Sequence, residues 1–147
     1  MSYTNRNLLA NEEVRYRASL HWIIYVPTII WLMLGFVFEG ASIAWIFVFI
    51  AICSFFRALL RKLGSEFILT NKRVVLRQGI ISRKTVEIIL AKCEGVSVDQ
   101  GVLGRILNYG TLVVTTGGAT SRFNFVKGPV TFRNRVNEEI DAFYYRY

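Results

Sequence analysis

The chain has 147 residues, of which 53% are hydrophobic and 19% charged, and its formal net charge is +8. A soluble domain averages about 45–50% and about 25% on the same measures. The excess here is uneven, since between Ala18 and Phe56 the only charged residue is Glu39. This pattern excludes a simple soluble enzyme, a disordered chain and a disulfide-stapled secreted domain.

Residues 1–18 form a polar N-terminal segment. Ser19–Phe38 then holds no formal charge over 20 positions, long enough as a helix to cross about 30 Å of hydrocarbon. After Glu39 and Gly40, the stretch Gly40–Leu60 reads as a second span, with Arg57 able to snorkel to the interface. The connection is so short that the two spans form a hairpin over residues 19–62. Pro27 removes one backbone donor and kinks the first helix. Trp22 and Trp45 fall near span ends, as interfacial anchors do, while Trp31 is mid-span. Arg15 and Arg17 precede the hairpin and Arg57, Arg61 and Lys62 close it, whereas its tip carries Glu39. The positive-inside rule places both termini in the cytoplasm.

Small residues at Gly40, Ala44, Ala51, Ser54 and Ala58 recur along one side of the second span. Such a face lets transmembrane helices approach closely, within the hairpin or between copies. Neither span holds an Asp or Lys, which disfavours an ion pathway through the hairpin alone.

From residue 63 the pattern becomes that of a β-rich domain. Glu66–Thr70 and Arg73–Gln78 alternate around a tight turn at Asn71-Lys72. Ser82–Leu90 and Glu94–Gln100 follow as strands, and residues 101–110 read as a loop. Thr111–Thr116 and Thr120–Val126 flank a Gly117-Gly118 turn. Pro129 starts a C-terminal helix, with Val130, Phe132, Val136, Ile140 and Phe143 at helical spacing. The aromatic tail, residues 142–147, reads as a core or groove contact.

The run TNKRVVLRQG (70–79), the segment LGRILNYGTLVV (103–114) and the terminal helix behind a two-span hairpin resemble the bacterial pleckstrin-homology (PH-like) domain family in its small membrane-anchored form. The resemblance covers about Asn11 to Tyr145. It implies an α+β membrane protein: a transmembrane helical hairpin, then a seven-stranded β-sandwich or partly open barrel over 63–147, capped by a C-terminal helix. Physical reasons favour structural roles for the shared residues. Thr70 is placed to bond the turn backbone. Asn71 tolerates the left-handed conformation of a two-residue turn. Arg73 belongs to the same motif. Gly104 and Gly110 supply positive φ or a close backbone approach, and Arg105 pins its loop.

Residues suited to catalysis are sparse. The one histidine, His21, reads as an interfacial polar residue, and Cys53 and Cys93 are too far apart in the plan to pair. No metal site, cofactor site or catalytic framework is expected. The whole +8 lies in residues 57–147, so the expected partner is an anionic lipid surface, not nucleic acid. Arg57, Arg61, Lys62, Lys72 and Arg73 are the candidate membrane-surface residues. The expected role is a non-enzymatic interaction or scaffold module in the bacterial inner membrane, partnered by copies of itself or another membrane protein. Alternatives are a pore or transport-complex subunit, and a lipid-sensing module.

Overall fold

The computed structural model describes the backbone of residues 8–146 and the side chains of residues 8–145. The first seven residues of the predicted N-terminal segment, and Tyr147, lie outside the described residues.

The first element is a strand, β1 (Val14–Ala18), which the sequence reading leaves unassigned. Its Val14, Tyr16 and Ala18 are half-buried, whereas Arg15 and Arg17 face outward, the period-2 alternation of an edge strand. A 3₁₀ turn at Trp22–Tyr25 leads into α1 (Val26–Val37), and α2 (Ala44–Leu63) returns after a six-residue connection. Next come β2 (Glu66–Thr70), β3 (Arg73–Gln78), β4 (Lys84–Ile89) and β5 (Gly95–Asp99). A short helix α3 (Val102–Leu107) then precedes β6 (Tyr109–Thr116), β7 (Ala119–Lys127) and α4 (Pro129–Arg146).

Among the described residues the strands form two antiparallel sheets, β1-β2-β3-β4 and β5-β6-β7. Phe67 of the first meets Phe123 of the second edge to face at 6.0 Å. The core between the sheets holds Leu69, Leu76, Leu112 and Val114, and α4 closes one end with Phe132 and Val136. Two sheets and a C-terminal helix agree with the α+β, PH-like architecture that the resemblance implies. The turn at Gly117 and Gly118 has positive φ at both residues, which suits a two-residue hairpin.

Three expectations are corrected. The predicted first span Ser19–Phe38 is shorter as a helix. Ser19 and Leu20 are drawn into the sandwich, with Leu20 bridging Val126 and the Lys127 N–H donating to the Ser19 carbonyl at 2.9 Å. The Pro27 ring then sits in the first turn of α1, where its missing N–H costs no helical bond. Among the described residues only α2 is long and apolar enough to cross a membrane on its own. The predicted loop 101–110 contains α3, too short for periodicity to reveal it. Tyr144 and Tyr145, expected to make contacts, are exposed.

Candidate functional site

The two apolar helices pack antiparallel. Trp31 stacks on Phe47 at 6.0 Å and Tyr25 meets Phe55 at 5.9 Å. A Cβ on Gly35 would stand 3.3 Å from Val48 Cγ2, so the absence of a side chain sets the close approach. From the predicted small-residue face, Ala51 and Ala58 are buried, and Ala44 and Ser54 half-buried. Gly40 is not part of this face, because it lies exposed in the connection with open space around its Cβ position. Sequence reasoning missed Gly35 in the opposing helix. The outer surface of the pair is apolar and bare: Phe36 is 73% exposed, Trp45 78% and Phe49 67%.

At the base of α1 the chain enters the sandwich through His21. Far from interfacial, His21 is buried between the rings of Trp22 and Tyr109. Its backbone N–H donates to the Phe125 carbonyl at 2.7 Å. Its Nδ1 accepts from the Ile23 N–H at 3.2 Å, capping the 3₁₀ turn. The imidazole also donates to the Leu107 carbonyl, which fixes the Nε2–H tautomer. Burial holds its pKa below the ordinary value, the Lys127 charge adds to this, and the Leu107 bond opposes it in part. Phe125 itself has φ 61°. It sits in a bulge where Asn124 and Phe125 face Thr111 alone, and bulges re-aim side chains.

Beside this bulge lies a groove of about 530 Å³ between α3 and the start of β6. A Cβ on Gly104 would stand 2.6 Å from the Tyr109 carbonyl oxygen, and one on Gly110 2.6 Å from Gln100 Cγ. Neither glycine has positive φ, so close approach is the reason for both. Gln100 Nε2 donates to the Gly104 and Tyr109 carbonyls at 3.3 and 2.9 Å. This task of pinning the loop had been expected of Arg105, whose side chain is exposed. Val102, Leu103 and Ile106 of α3 are 65–77% exposed, on the side of the sandwich where the hairpin begins.

On the other side of the base, α2 ends against the β3–β4 turn. A Cβ on Gly64 would collide with Ile80 Cγ1 and come within 2.8 Å of the Gly79 carbonyl carbon. Ser65 Oγ donates to the Arg61 carbonyl at 2.6 Å and accepts from the Gly79 N–H at 3.4 Å. Gly79 has φ 93°, a conformation that glycine adopts at no steric cost. A cleft of about 640 Å³ opens between these walls, lined by Cys53, Phe56, Arg57, Leu60, Arg61 and residues Gly79–Ser82. Ile81 is 90% exposed at its rim. Lys62 lies 5.6 Å from the centre of the Tyr25 ring.

The remaining predicted membrane-surface residues are elsewhere. From Glu66 beside α2, strand β2 runs about 13 Å to Thr70, so the TNKR turn is at the far end of the sheet. There Lys72 Nζ donates to the Ala10 carbonyl at 2.5 Å. Arg73 Nε and Nη2 donate to Glu12 at 2.8 and 3.1 Å, and Nη1 donates to Glu87 at 2.9 Å. Lys72 and Arg73 are therefore engaged within the fold and remote from the helix base. Thr70 Oγ1 accepts from the Lys72 and Arg73 N–H groups at 3.3 and 3.0 Å. Asn71 does not have the left-handed conformation expected of it. Its side chain instead bonds the Asn11 carbonyl and the Glu13 N–H, which fastens the N-terminal segment to the turn.

A family model described as Bacterial PH domain matches residues 21–142. The chain belongs to the bacterial PH domain family. No curated protein and no solved structure matches it. The match runs from His21 into α4, so both apolar helices fall within the bacterial PH domain as this family defines it. A PH-like domain is an interaction or lipid-binding module, generally without catalysis. Among the described residues the potential nucleophiles are dispersed: Cys53 is exposed on α2, and burial, chiefly, pushes the Cys93 thiol up, away from its reactive form.

Proposed function

We propose that this bacterial PH domain is a non-enzymatic interaction or scaffold module held in the cytoplasmic membrane by its helical hairpin. One observation carries the reading: the outward faces of α1 and α2 expose large apolar side chains along their whole length. In water such a surface is a severe liability, and a bilayer relieves it. The 20 residues of α2 span about 30 Å, and the 3₁₀ turn with α1 spans about 26 Å, against a hydrocarbon core of about 30 Å. Mismatch of a few Å is accommodated by local thinning and by anchoring aromatics, and Trp22 and Trp45 are exposed at opposite ends of the pair.

Orientation follows from Arg57, Arg61 and Lys62 at the sandwich end and Glu39 at the tip. The positive-inside rule puts the sandwich, with both termini, on the cytoplasmic side. There the +8 of residues 57–147 is attracted to anionic headgroups. Copies of the chain are the proposed partners, through the exposed helix faces and the edge strands of both sheets.

The test is protease treatment of sealed right-side-out cells and of inverted membrane vesicles, with the full chain carrying a C-terminal tag. Protection in cells and digestion in vesicles is the expected result. A chain released from membranes without detergent overturns the anchor. Cross-linking in native membranes that yields monomer alone overturns self-association.

A further inference from the structure

The geometry points to the cleft between α2 and the β3–β4 turn as a binding site for the headgroup phosphate of one anionic phospholipid, with its chain laid along α2. This rests on the membrane reading above and names a ligand and a place for it.

The cleft has the two chemistries such a molecule needs, in the right order. Cys53, Phe56 and Leu60 form an apolar floor, and Arg57 and Arg61 project one helical turn apart beside it. Counted from Ala44, Arg57 stands about 20 Å and Arg61 about 26 Å along the helix. The guanidinium groups thus reach the level where about 30 Å of hydrocarbon ends. Descending along α2 one passes from cation to apolar surface, as one passes in a phospholipid from phosphate to acyl chain. The volume of about 640 Å³ falls within the range of small-molecule sites.

Charge narrows the ligand further. No Asp or Glu lines the cleft, and neither Arg57 nor Arg61 forms an ion pair among the described residues. Two guanidinium forks without a carboxylate suit a phosphate, which they bind bidentately. A zwitterionic headgroup would bring its own cation into a cleft that offers it no anion. Ser82, an uncharged polar residue, completes the lining. The walls are also fixed before any ligand arrives, because Gly64 abuts Gly79 and Ile80, and Ser65 ties the end of α2 to the turn. Preorganisation of this kind reduces the ordering cost of binding.

The experiment is native mass spectrometry of the full chain in detergent, titrated separately with phosphatidylglycerol, phosphatidylcholine and inorganic phosphate. One retained phosphatidylglycerol per chain is expected, with phosphatidylcholine held far more weakly and millimolar phosphate failing to displace the lipid. The double variant R57Q/R61Q should weaken retention by about tenfold or more, while K84Q, outside the cleft, leaves it unchanged. Both variants should still fractionate with membranes and unfold at the wild-type temperature. Equal retention of the two lipids, or full retention by R57Q/R61Q, overturns the site. Complete displacement by phosphate reassigns it to a soluble anion and overturns the lipid. A wild-type chain absent from the membrane fraction defeats the underlying reading instead, so the two failures are distinguishable.

Discussion

Glu12 and Arg73 join a residue before the helical hairpin to one after it, through two hydrogen bonds of 2.8 and 3.1 Å from the guanidinium to the carboxylate. The Glu12 side chain is fully buried and Arg73 is 16% exposed. The carboxylate also receives the Leu9 N–H at 2.7 Å and the Thr70 hydroxyl at 2.9 Å. Substitution E12A takes the carboxylate from the Leu9 N–H, the Thr70 hydroxyl and Arg73, which keeps its bond to Glu87, and so frees the chain at the outer end of β1. A loss of about 3 kcal/mol is expected, read as a lowered unfolding temperature of the full chain in detergent. R73A should cost a comparable amount, and the double variant less than the sum.

Acid should weaken the fold in two stages. Burial, the largest influence on Glu12, raises its pKa, but the Leu9 N–H, Arg73 and Thr70 together outweigh it and hold the carboxyl below its ordinary value of 4.5. His21 is held below its ordinary 6.5, chiefly by burial. Both folded pKa values are depressed, so each contribution is complete above the ordinary value and is lost as pH falls through the folded one. Unfolding temperature should therefore begin to decline below about pH 6.5, from His21, and again below about pH 4.5, from Glu12. H21N should remove the first step and E12Q the second, when thermal unfolding is measured across pH. A first step that persists in H21N contradicts the assignment.

The glycines of the LGR–YGT segment should resist substitution for a steric reason. In G110A the new methyl meets Gln100 Cγ at 2.6 Å and the Asp99 carbonyl oxygen at 3.0 Å. In G104A it meets the Tyr109 carbonyl oxygen at 2.6 Å, a backbone atom that cannot swing aside. Each should cost about 1–3 kcal/mol, measured by denaturant or thermal unfolding. G101A is the control, since open space surrounds that position.

Within the hairpin, G35L and G40L should behave oppositely. A leucine at 35 must displace Val48 and Phe47, prying α1 from α2, whereas one at 40 enters open space. Disulfide trapping between cysteines placed at Trp31 and Phe47, with Cys53 and Cys93 replaced by serine, reads the separation. Trapping should fall in G35L and persist in G40L.

Much of the sandwich was legible because its strands are local pairs. Leu69 and Val74 face each other around the Asn71-Lys72 turn, Thr116 and Ala119 across Gly117-Gly118, and turn chemistry marks both. What stayed hidden was what the chain brings together from afar. VRYRA alternates correctly, but its partner Ile68 is some fifty residues away, across the apolar helices. His21 looked interfacial because nothing in its neighbourhood announces the pairing of Leu20 with Val126. In the TNKR turn Asn71 works through its side chain and not its backbone, bonding a segment some sixty residues earlier in the chain. The cleft escaped notice because Arg57 and Arg61 meet Ile80 and Ile81 only once α2 folds back on the turn.

The placement of β1 has a consequence for synthesis. This strand leaves the ribosome before either apolar helix, yet its ladder partner β2 follows both. The head cannot finish folding until both apolar helices have been made and have turned back, so completion of the helix pair precedes completion of the sandwich. A fragment beginning at Gly64 would carry β2 as a bare, unmatched edge inviting adhesion to other chains, and experiments on such a piece would report on its stickiness more than on the native head.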